Sequence, residues 1–510
     1  MKLTRNEWVL LLIMLLGLFV RIYFISGQSL WFDEGYSLRM SQLSPREIIS
    51  ETASADYHPP LYYIGLHYWV SLFGTSEFSV RLPSAILGIC SILILYKVGK
   101  HLFNDNVGIL SSLILAVSVF HVEYSQEVRS YSLMAFMTLL SFYFFLKLFN
   151  ERNLRASVGY TISSAVLMYT HVYGLFFILS QNIYFIAHKL FSREKTISTG
   201  KWVSLQGILL ILFLPWTNSL LAQTAKVQRG YWVSEPTLLS VIYTFGGYAG
   251  SRLLLFFFLI FVGLALTRCG KNLPELKEAS NFGETQSFKR GLSQHEALYL
   301  LFLWLSVPVV LPFLISYVSQ PIFISRGTIG SSLAFYLLAA KGIDTLPKKY
   351  FKPACIALVV ILSLSNIWVY YHRVYKDPWR KVAHTVDMTA KSGDMVLFNS
   401  SLCQYLFSYY SKRPDLIKMS LSEISGNGNE EDIKQMESLS ARHDRVWVIV
   451  SHGKGTEWLK QVFLKSCTLS YYKEYSIERN VGNYVVIRVS LFEHHLGAAF
   501  SILGGKPGWS

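Results

Sequence analysis

Charged residues are scarce in this sequence. Only 15% of the 510 residues are Asp, Glu, Lys or Arg, whereas 52% are hydrophobic and 15% are aromatic. The charges are concentrated between long apolar runs, which is typical of a polytopic membrane protein and not of a soluble enzyme. The five cysteines have no metal-type spacing, and the chain shows no internal repeat. The sequence therefore offers no cysteine metal site and lacks the paired repeats of many transporters.

The net charge of +15 does not indicate a nucleic-acid partner. The basic residues lie mainly in short loops between apolar runs, where membrane topology explains them. We therefore expect membrane lipids, and no nucleic acid, among the partners of this chain.

Apolar runs close to the 20 or so residues that cross a bilayer recur along residues 1–371. We expect the first of them to span the membrane, because it has no small-residue cleavage site of a signal peptide and leads into further membrane segments. The pattern predicts about eleven transmembrane helices, at residues 8–26, 82–100, 107–122, 131–149, 157–171, 173–190, 202–220, 251–267, 296–317, 327–345 and 354–371.

The segment 59–74 is apolar, but it is short and rich in Tyr, Trp and His, which are interfacial residues. If it lies flat on the membrane, nineteen Lys and Arg residues fall in the loops of one side and seven in the loops of the other. The positive-inside rule then makes the nineteen cytoplasmic, whereas a spanning segment would reverse the bias. We therefore predict outer-face juxtamembrane helices, a long first outer loop at 27–81 and an extracytoplasmic tail.

The tail, residues 372–510, has shorter apolar runs and more polar residues than the rest of the chain. Its segments 393–398, 445–451, 471–477 and 484–489 have the character of strands, and helices are expected near 401–411 and 455–465. We predict two domains: a membrane domain at 1–371 and a small soluble α/β domain at 372–510.

Two adjacent acids, Asp33 and Glu34, follow the first span in the motif W-F-D-E-G-Y. A solvated loop acid needs no role, but the flanking aromatic residues should hold this pair at headgroup depth. One acid can then face a reactant while the other orients it or holds a cation, which suits general-base catalysis.

Two histidines are expected near the outer face. His58 follows Tyr57 and precedes two prolines that force it into an extended conformation; it either bonds a backbone carbonyl, contacts a phosphate or binds a metal. His171 ends a predicted span, where it is either an interfacial residue or part of a site.

Arg129 and Arg326 each lie near the outer end of a predicted span. They either snorkel to the interface or form a phosphate cradle. Glu127 and Tyr131 flank Arg129 in the motif Y-S-Q-E-V-R-S-Y, and Glu127 is also a candidate ion-pair partner for this arginine.

Five of these motifs, in this order, resemble the C-class integral-membrane glycosyltransferases, and in particular the dolichyl-phosphate-mannose protein mannosyltransferase superfamily, whose relatives include the lipid A aminoarabinose transferase. The likeness covers about residues 8 to 345 and is strongest before residue 180. The motifs are W-F-D-E-G-Y-S-L, H-P-P-L-Y-Y-I-G-L-H-Y-W, L-F-G-T-S-E-F-S-V-R-L-P-S-A-I-L-G, Y-S-Q-E-V-R-S-Y-S-L and Y-T-H-V-Y-G-L-F.

The resemblance implies a GT-C-like fold and a transferase that moves a sugar from a polyprenyl-phosphate carrier to an outer-side acceptor, usually with inversion. It implies that Asp33 is the catalytic acid of the first outer loop, with Glu34 as its neighbour. The basic residue that contacts the carrier phosphate corresponds to His58, and the acid of the fourth motif corresponds to Glu127, beside Arg129. Some relatives hold a divalent cation near the phosphate, but no metal ligands are identified in this sequence.

The chemistry of the residues leads to the same expectation. A sugar phosphate carries a good leaving group, so the enzyme must activate the acceptor hydroxyl, here through Asp33, and stabilise the departing phosphate with cationic side chains. The sugar remains open among hexoses, pentoses and amino sugars, and the acceptor among glycolipid, polysaccharide and protein. A transporter or lipid flippase and a non-catalytic surface protein are the alternatives.

Overall fold

The computed structural model describes residues 4–150, 153–192, 197–229, 233–269, 292–374, 376–421, 430–451, 457–480 and 483–494. The chain divides into two compact units. The first comprises Met1–Ile25 and Met40–His372, and the second comprises Ser26–Arg39 and Arg373–Ser510. The segment Ser26–Arg39, which the sequence-based division places in the membrane domain, thus groups with the C-terminal unit.

Most secondary-structure elements among the described residues are helices. The helices are α1 Arg5–Ile22, α2 Phe32–Ser41, α3 Pro45–Ser54, α4 Leu61–Phe73, α5 Glu77–Leu102, α6 Asp105–Ala116, α7 Val119–Ser125, α8 Tyr131–Asn150, α9 Leu154–Thr170, α10 Gly174–Phe191, α11 Thr199–Arg229, α12 Leu238–Ala249, α13 Arg252–Cys269, α14 Gln294–Val318, α15 Ile329–Asp344, α16 Phe351–His372, α17 Trp379–Thr389, α18 Ser401–Tyr410, α19 Glu430–Arg442 and α20 Glu457–Ser466. The strands are β1 Met395–Phe398, β2 Ile417–Ser420, β3 Arg445–Ser451, β4 Cys467–Asn480 and β5 Asn483–His494.

Five described helices, α5, α8, α11, α14 and α16, are long and apolar enough to cross a membrane. The number rises to seven if each of two bent pairs is one span: α6 with α7, bent by 60°, and α12 with α13, bent by 90°. The polytopic membrane class is therefore confirmed, but the count is below the eleven predicted. The other four predicted spans coincide with α1, α9, α10 and α15, which have only 16 to 18 residues. At 1.5 Å per residue these helices are at most about 27 Å long.

The segment 59–74, predicted not to span, forms the 13-residue helix α4. It starts after two prolines, with Pro60 as its N-cap, and ends at Gly74, whose φ of 77° suits glycine. Thirteen residues give about 20 Å of helix, too short for the roughly 30 Å of hydrocarbon in a bilayer.

The buried guanidinium of Arg21 satisfies backbone groups at the bend between α6 and α7. It donates to the carbonyls of Leu115 and Ala116 at 3.1 and 3.0 Å, and its Nε donates to Ser125 Oγ at 3.2 Å. The last carbonyls of a helix have no partners within that helix. Arg21 therefore supplies the donors that a helix broken inside a membrane protein requires.

Close helix contacts in the first unit depend on glycine. A Cβ on Gly108 of α6 would lie 2.7 Å from the carbonyl oxygen of Tyr96 in α5. A Cβ on Gly342 of α15 would overlap the carbonyl oxygen of Phe261 in α13. At both positions a neighbouring backbone occupies the space of a side chain, and small residues permit such approaches between membrane helices.

The C-terminal unit contains a five-stranded sheet with the order β2-β1-β3-β5-β4. Strand β1 is parallel to β2 and β3, whereas β5 is antiparallel to β3 and β4. All four residues of β1 are buried, as expected for a strand that is covered on both faces. The predicted small α/β domain is confirmed, although β2 and α19 were not foreseen.

Candidate functional site

Asp33 and Glu34 lie in the first turn of helix α2, where the sequence predicted an outer loop. The positive end of the helix dipole favours carboxylates at this position. Oε2 of Glu34 accepts a hydrogen bond from the backbone N–H of Trp31 at 3.3 Å, which ties the start of the helix. Gly35 allows close packing, since a Cβ there would lie within 2.5 Å of the Leu406 side chain of α18.

The two acids differ in their surroundings. The Glu34 side chain is fully buried, and its Oε1 accepts a hydrogen bond at 2.9 Å from Nζ of Lys376, whose side chain is only 7% exposed. Asp33 is half-buried. Of the two adjacent carboxylates, Asp33 is therefore the one that solvent or a substrate can reach, and Glu34 is held in a buried ion pair.

The first unit brings together several of the other predicted site residues. The rings of His58 and His171 lie 4.6 Å apart between centroids, and the ring of Tyr131 lies 6.0 Å from that of His171. The guanidinium carbon of Arg326 lies 5.6 Å from the centre of the Tyr131 ring. Arg129 is 7% exposed and, like Arg326, acts electrostatically on His171. These five residues are called the basic cluster below.

His171, only 2% exposed, presents a hydrogen-bond donor within this cluster. Its Nδ1 accepts a hydrogen bond from the backbone N–H of Tyr173 at 3.1 Å, so in the neutral ring the proton is on Nε2. Nε2 is buried and has no hydrogen-bond partner among the described residues. A buried donor that also experiences the positive charges of two arginines is suited to an anionic ligand.

Arg326 is positioned by a short 3-10 helix, Ser325–Thr328. Tyr173 holds the preceding segment, because its hydroxyl donates to the Ile322 carbonyl at 2.9 Å and accepts from the Ile324 N–H at 3.1 Å. A Cβ on Gly327 would lie 2.9 Å from the Tyr173 ring. The 3-10 helix that carries Arg326 is therefore packed directly against Tyr173, two residues after His171.

Tyr57 and Glu127, two further predicted site residues, also belong to the first unit but have other neighbours. Nζ of Lys226 lies 5.1 Å from the centre of the Tyr57 ring and donates to the Ala55 carbonyl at 2.9 Å. Glu127, 5% exposed, lies between α7 and α8 and acts electrostatically on Tyr124. Asp33 and Glu34 belong to the other unit.

Asp56 is a buried acid that is not among the site residues predicted from the sequence. It is 8% exposed, and its Oδ1 accepts a hydrogen bond from the Tyr57 N–H at 2.6 Å. Burial raises the pKa of this carboxyl, against the lowering effects of the positive charge of Arg129 and of hydrogen bonds from Tyr57, Tyr63 and His58. Its place in A-D-Y-H-P-P, two residues before His58, was the available signal.

The metal prediction was left open by the sequence. Among the residues that the structure describes, no group of three or more His, Cys, Asp and Glu side chains is arranged to hold a metal ion. The basic cluster supplies cationic and neutral donors, which suit an anion directly.

A family model matches this chain over residues 57–218: the dolichyl-phosphate-mannose-protein mannosyltransferase family. That range includes His58, Glu127, Arg129, Tyr131 and His171. No curated protein sequence matches the chain.

Solved structures show the same fold. The structure of ArnT from Cupriavidus metallidurans in the apo state superposes with a TM-score of 0.59 at 14% identity, covering 94% of this chain and 97% of that one. The same protein bound to undecaprenyl phosphate gives a TM-score of 0.55 at 13% identity, with coverages of 95% and 98%. The archaeal oligosaccharyltransferase AglB from Archaeoglobus fulgidus, in complex with an inhibitory peptide and a dolichol-phosphate, gives 0.50 at 12% identity, with coverages of 94% and 74%.

These comparisons confirm the resemblance to the C-class glycosyltransferases and the ArnT-like fold. The matched family and the superposed proteins are glycosyltransferases, and the apolar helices are those of an integral membrane protein.

Proposed function

We propose that this protein transfers a sugar from a polyprenyl-phosphate donor to an acceptor hydroxyl on the extracytoplasmic face of the plasma or inner membrane. The observation that carries the proposal is the basic cluster, which combines the buried Nε2 donor of His171 with the positive charges of Arg129 and Arg326. The solved structures of two superposed proteins, ArnT and AglB, contain undecaprenyl phosphate and dolichol-phosphate respectively. A lipid-linked phosphate is the ligand that this chemistry fits.

The role of the cluster is to hold the phosphate and stabilise it as it leaves. When the bond between the sugar and the phosphate oxygen breaks, negative charge grows on that oxygen. Two guanidinium groups and the His171 N–H, fixed before the reaction, stabilise this charge more effectively than water does. His58, whose ring lies against His171, carries a further ring N–H donor.

Asp33 is proposed as the general base that removes the proton from the acceptor hydroxyl. Of the two acids at the start of α2, it is the more accessible one. A single displacement assisted by one base inverts the anomeric carbon and needs no carboxylate nucleophile. We therefore expect an inverting hexosyl- or pentosyltransferase, with a glycolipid, polysaccharide or protein as the acceptor.

The extracytoplasmic assignment follows from the distribution of charge. If all eleven apolar segments predicted from the sequence cross the membrane and α4, which is too short, does not, nineteen basic loop residues fall on one side and seven on the other. The positive-inside rule then places the nineteen in the cytoplasm. A cysteine in place of exposed Lys381 of α17 should react with a membrane-impermeant maleimide in intact cells. Labelling only after permeabilisation would contradict this orientation.

The test of the function uses the purified full-length protein in lipid nanodiscs, a panel of radiolabelled polyprenyl-phosphate sugars and a membrane extract as the source of acceptor. Wild type should label one acceptor fraction with one donor, and the product should have the inverted anomeric configuration by NMR. D33N should lower the rate by at least about 100-fold, whereas D444N, the same substitution at an exposed position, should not. Transfer by D33N at the wild-type rate would refute the base assignment.

His171 tests the phosphate assignment separately. H171F fills the site but removes the donor, and the loss of a hydrogen bond to a charged group, about 1.5–3 kcal/mol, should raise the dissociation constant of the donor about tenfold or more. The control is H295Q, at an exposed position of α14. If H171F binds the lipid-linked sugar donor as tightly as wild type, the basic cluster is not the phosphate site.

A lipid flippase is the second candidate, because bent and broken helices such as the α6–α7 and α12–α13 pairs also occur in transporters. Reconstituted vesicles distinguish the two functions. Movement of a labelled lipid-linked sugar between leaflets without any transfer would favour the flippase, and transfer abolished by D33N would favour the enzyme.

A further inference from the structure

Two segments far apart in the sequence are joined by hydrogen bonds within the C-terminal unit. The side chain of Gln28 accepts from the Lys376 N–H at 3.0 Å and donates to the Arg373 carbonyl at 3.2 Å. Ser29 Oγ donates to the Asp377 carbonyl at 2.8 Å. The approach to helix α2 is therefore fixed by the residues that follow helix α16.

The dipeptide Lys376-Asp377 continues this contact into the first turn of α2. Asp377, fully buried, accepts a hydrogen bond through Oδ2 from the N–H of Phe32 at 3.1 Å. The first N–H groups of a helix lack partners within the helix, and here Asp377 supplies one of them from another segment. Lys376 supplies the cation that pairs with buried Glu34 at 2.9 Å.

The geometry points to Lys376 as a positioning residue for Asp33. Glu34 is the next residue along α2, and both of its carboxylate oxygens have fixed partners, Nζ of Lys376 and the N–H of Trp31. Because a helical turn is rigid, fixing Glu34 also fixes the direction in which the Asp33 side chain leaves the helix. This inference rests on the proposed role of Asp33 as the general base.

Because the Lys376–Glu34 ion pair is buried, breaking it should affect the structure more than breaking a surface salt bridge. Exposed pairs contribute little, but removing one partner of a buried pair leaves an uncompensated charge that the surrounding structure must solvate or neutralise. In K376M, Glu34 would therefore become protonated or turn toward water, and either change releases the first turn of α2. A base displaced by about 1 Å can lose about 100-fold in rate.

The experiment compares K376M, K376R, the uncharged double variant E34Q/K376M and the control K381M, which changes an exposed lysine on α17. In the transferase assay, K376M should lower kcat by about 10- to 100-fold while the KM for the donor changes by less than about twofold. K376R should recover part of the lost kcat, because it restores a positive charge to the pair. The double variant should remain folded, with a lowered kcat.

Hydrogen exchange gives a measurement that does not depend on catalysis. Amides of residues 30–38 should exchange faster in K376M than in wild type and in K381M, whereas the strands of the C-terminal sheet should exchange as in wild type. Loss of protection across the whole unit would instead show that Lys376 serves only the fold, and would overturn the inference.

The outcomes separate this inference from the proposed function. If wild type transfers no sugar, or D33N is fully active, the proposed function fails. If wild type is active and D33N is not, but K376M has the kcat of K381M, the function stands and the positioning role of Lys376 is wrong.

Discussion

Replacing Arg21 with methionine should destabilise the first unit of this protein. Arg21 is fully buried in α1, and its side chain donates to the carbonyls of Leu115 and Ala116 and to Ser125. Methionine has a similar length but no donor. The change therefore leaves two buried carbonyls at the end of α6 without their guanidinium partner.

The size of the effect follows from these contacts. A buried acceptor that loses its partner costs about 1–3 kcal/mol, so two carbonyls would cost about 2–6 kcal/mol. The loss at Leu115 should be at the low end, because its carbonyl also accepts a 3.4 Å hydrogen bond from the Ser118 N–H. Methionine also removes the desolvation penalty of a buried charge, which offsets part of the loss. We expect a net destabilisation of about 2–4 kcal/mol.

The measurement is thermal unfolding in detergent, followed by tryptophan fluorescence. A loss of this size should lower the apparent Tm by about 3–5 °C, because the shift per kcal/mol becomes smaller as the unfolding unit becomes larger. R21K retains the charge but, as a single ammonium, cannot reach all the acceptors of the planar guanidinium, so its Tm should be intermediate. R155M, at an exposed position, is the control. An R21M protein as stable as wild type would show that the desolvation penalty of Arg21 equals the benefit of its hydrogen bonds, and would refute this reasoning.

Two further changes test the packing of the first unit and a buried acid within it. Gly342→Ala should lower the apparent Tm, because the new methyl group overlaps the Phe261 carbonyl and overpacking costs about 1–3 kcal/mol. Asp56→Asn should raise the apparent Tm at pH 7, because burial raises the pKa of the Asp56 carboxyl and makes its charged form unfavourable in the folded state. Below the unfolded pKa of about 3.9 the Asp56 carboxyl is neutral in wild type, so wild type has the full stability of a neutral buried group; this stability is lost as pH rises through the folded pKa. The Tm values of wild type and D56N should therefore become equal near pH 3.

Matched controls are available for both changes. Gly207→Ala adds a methyl group to a helix where no atom lies within 4 Å, and it should leave the Tm unchanged or raise it slightly. If G342A behaves like G207A, the α13–α15 contact is looser than the structure indicates. If D56N is less stable than wild type at pH 7, the attraction between Asp56 and Arg129 outweighs the cost of burial.

Local patterns in the sequence foresaw much of the secondary structure. Alternating and continuous apolar runs located β1, β3, β4 and β5, and the stretch near residues 401–411 is helix α18. Juxtamembrane helices were predicted in the outer loop 27–81, but the apolar pattern gave bounds for only one of them, at 59–74, so the positions of α2 and α3 were not foreseen. The motif Ser44-Pro45-Arg46-Glu47 was a readable start signal for α3, since it forms a capping box with proline at the first helical position.

Contacts between distant residues could not be read from the sequence. The pattern suggested that one of the two acids of W-F-D-E-G-Y faces a reactant, but nothing in it identified Lys376 as the partner of Glu34, since the two are separated by 342 positions. The approach of His58 to His171 likewise depends on how α4 and α9 pack. Residue types indicated which side chains could bind a phosphate, but only the fold shows which of them meet.

The pairing of Lys376 with Glu34 has a consequence for biosynthesis. Helix α2, which carries Glu34, is synthesised early, whereas its partner Lys376 is synthesised only after helix α16. Until Lys376 has been synthesised, the carboxylate of Glu34 lacks this counter-ion, and the ion pair does not yet hold the first turn of α2, which carries Asp33. A chain terminated at residue 371 should insert into the membrane without this ion pair and, under the proposed role of Asp33, transfer no sugar.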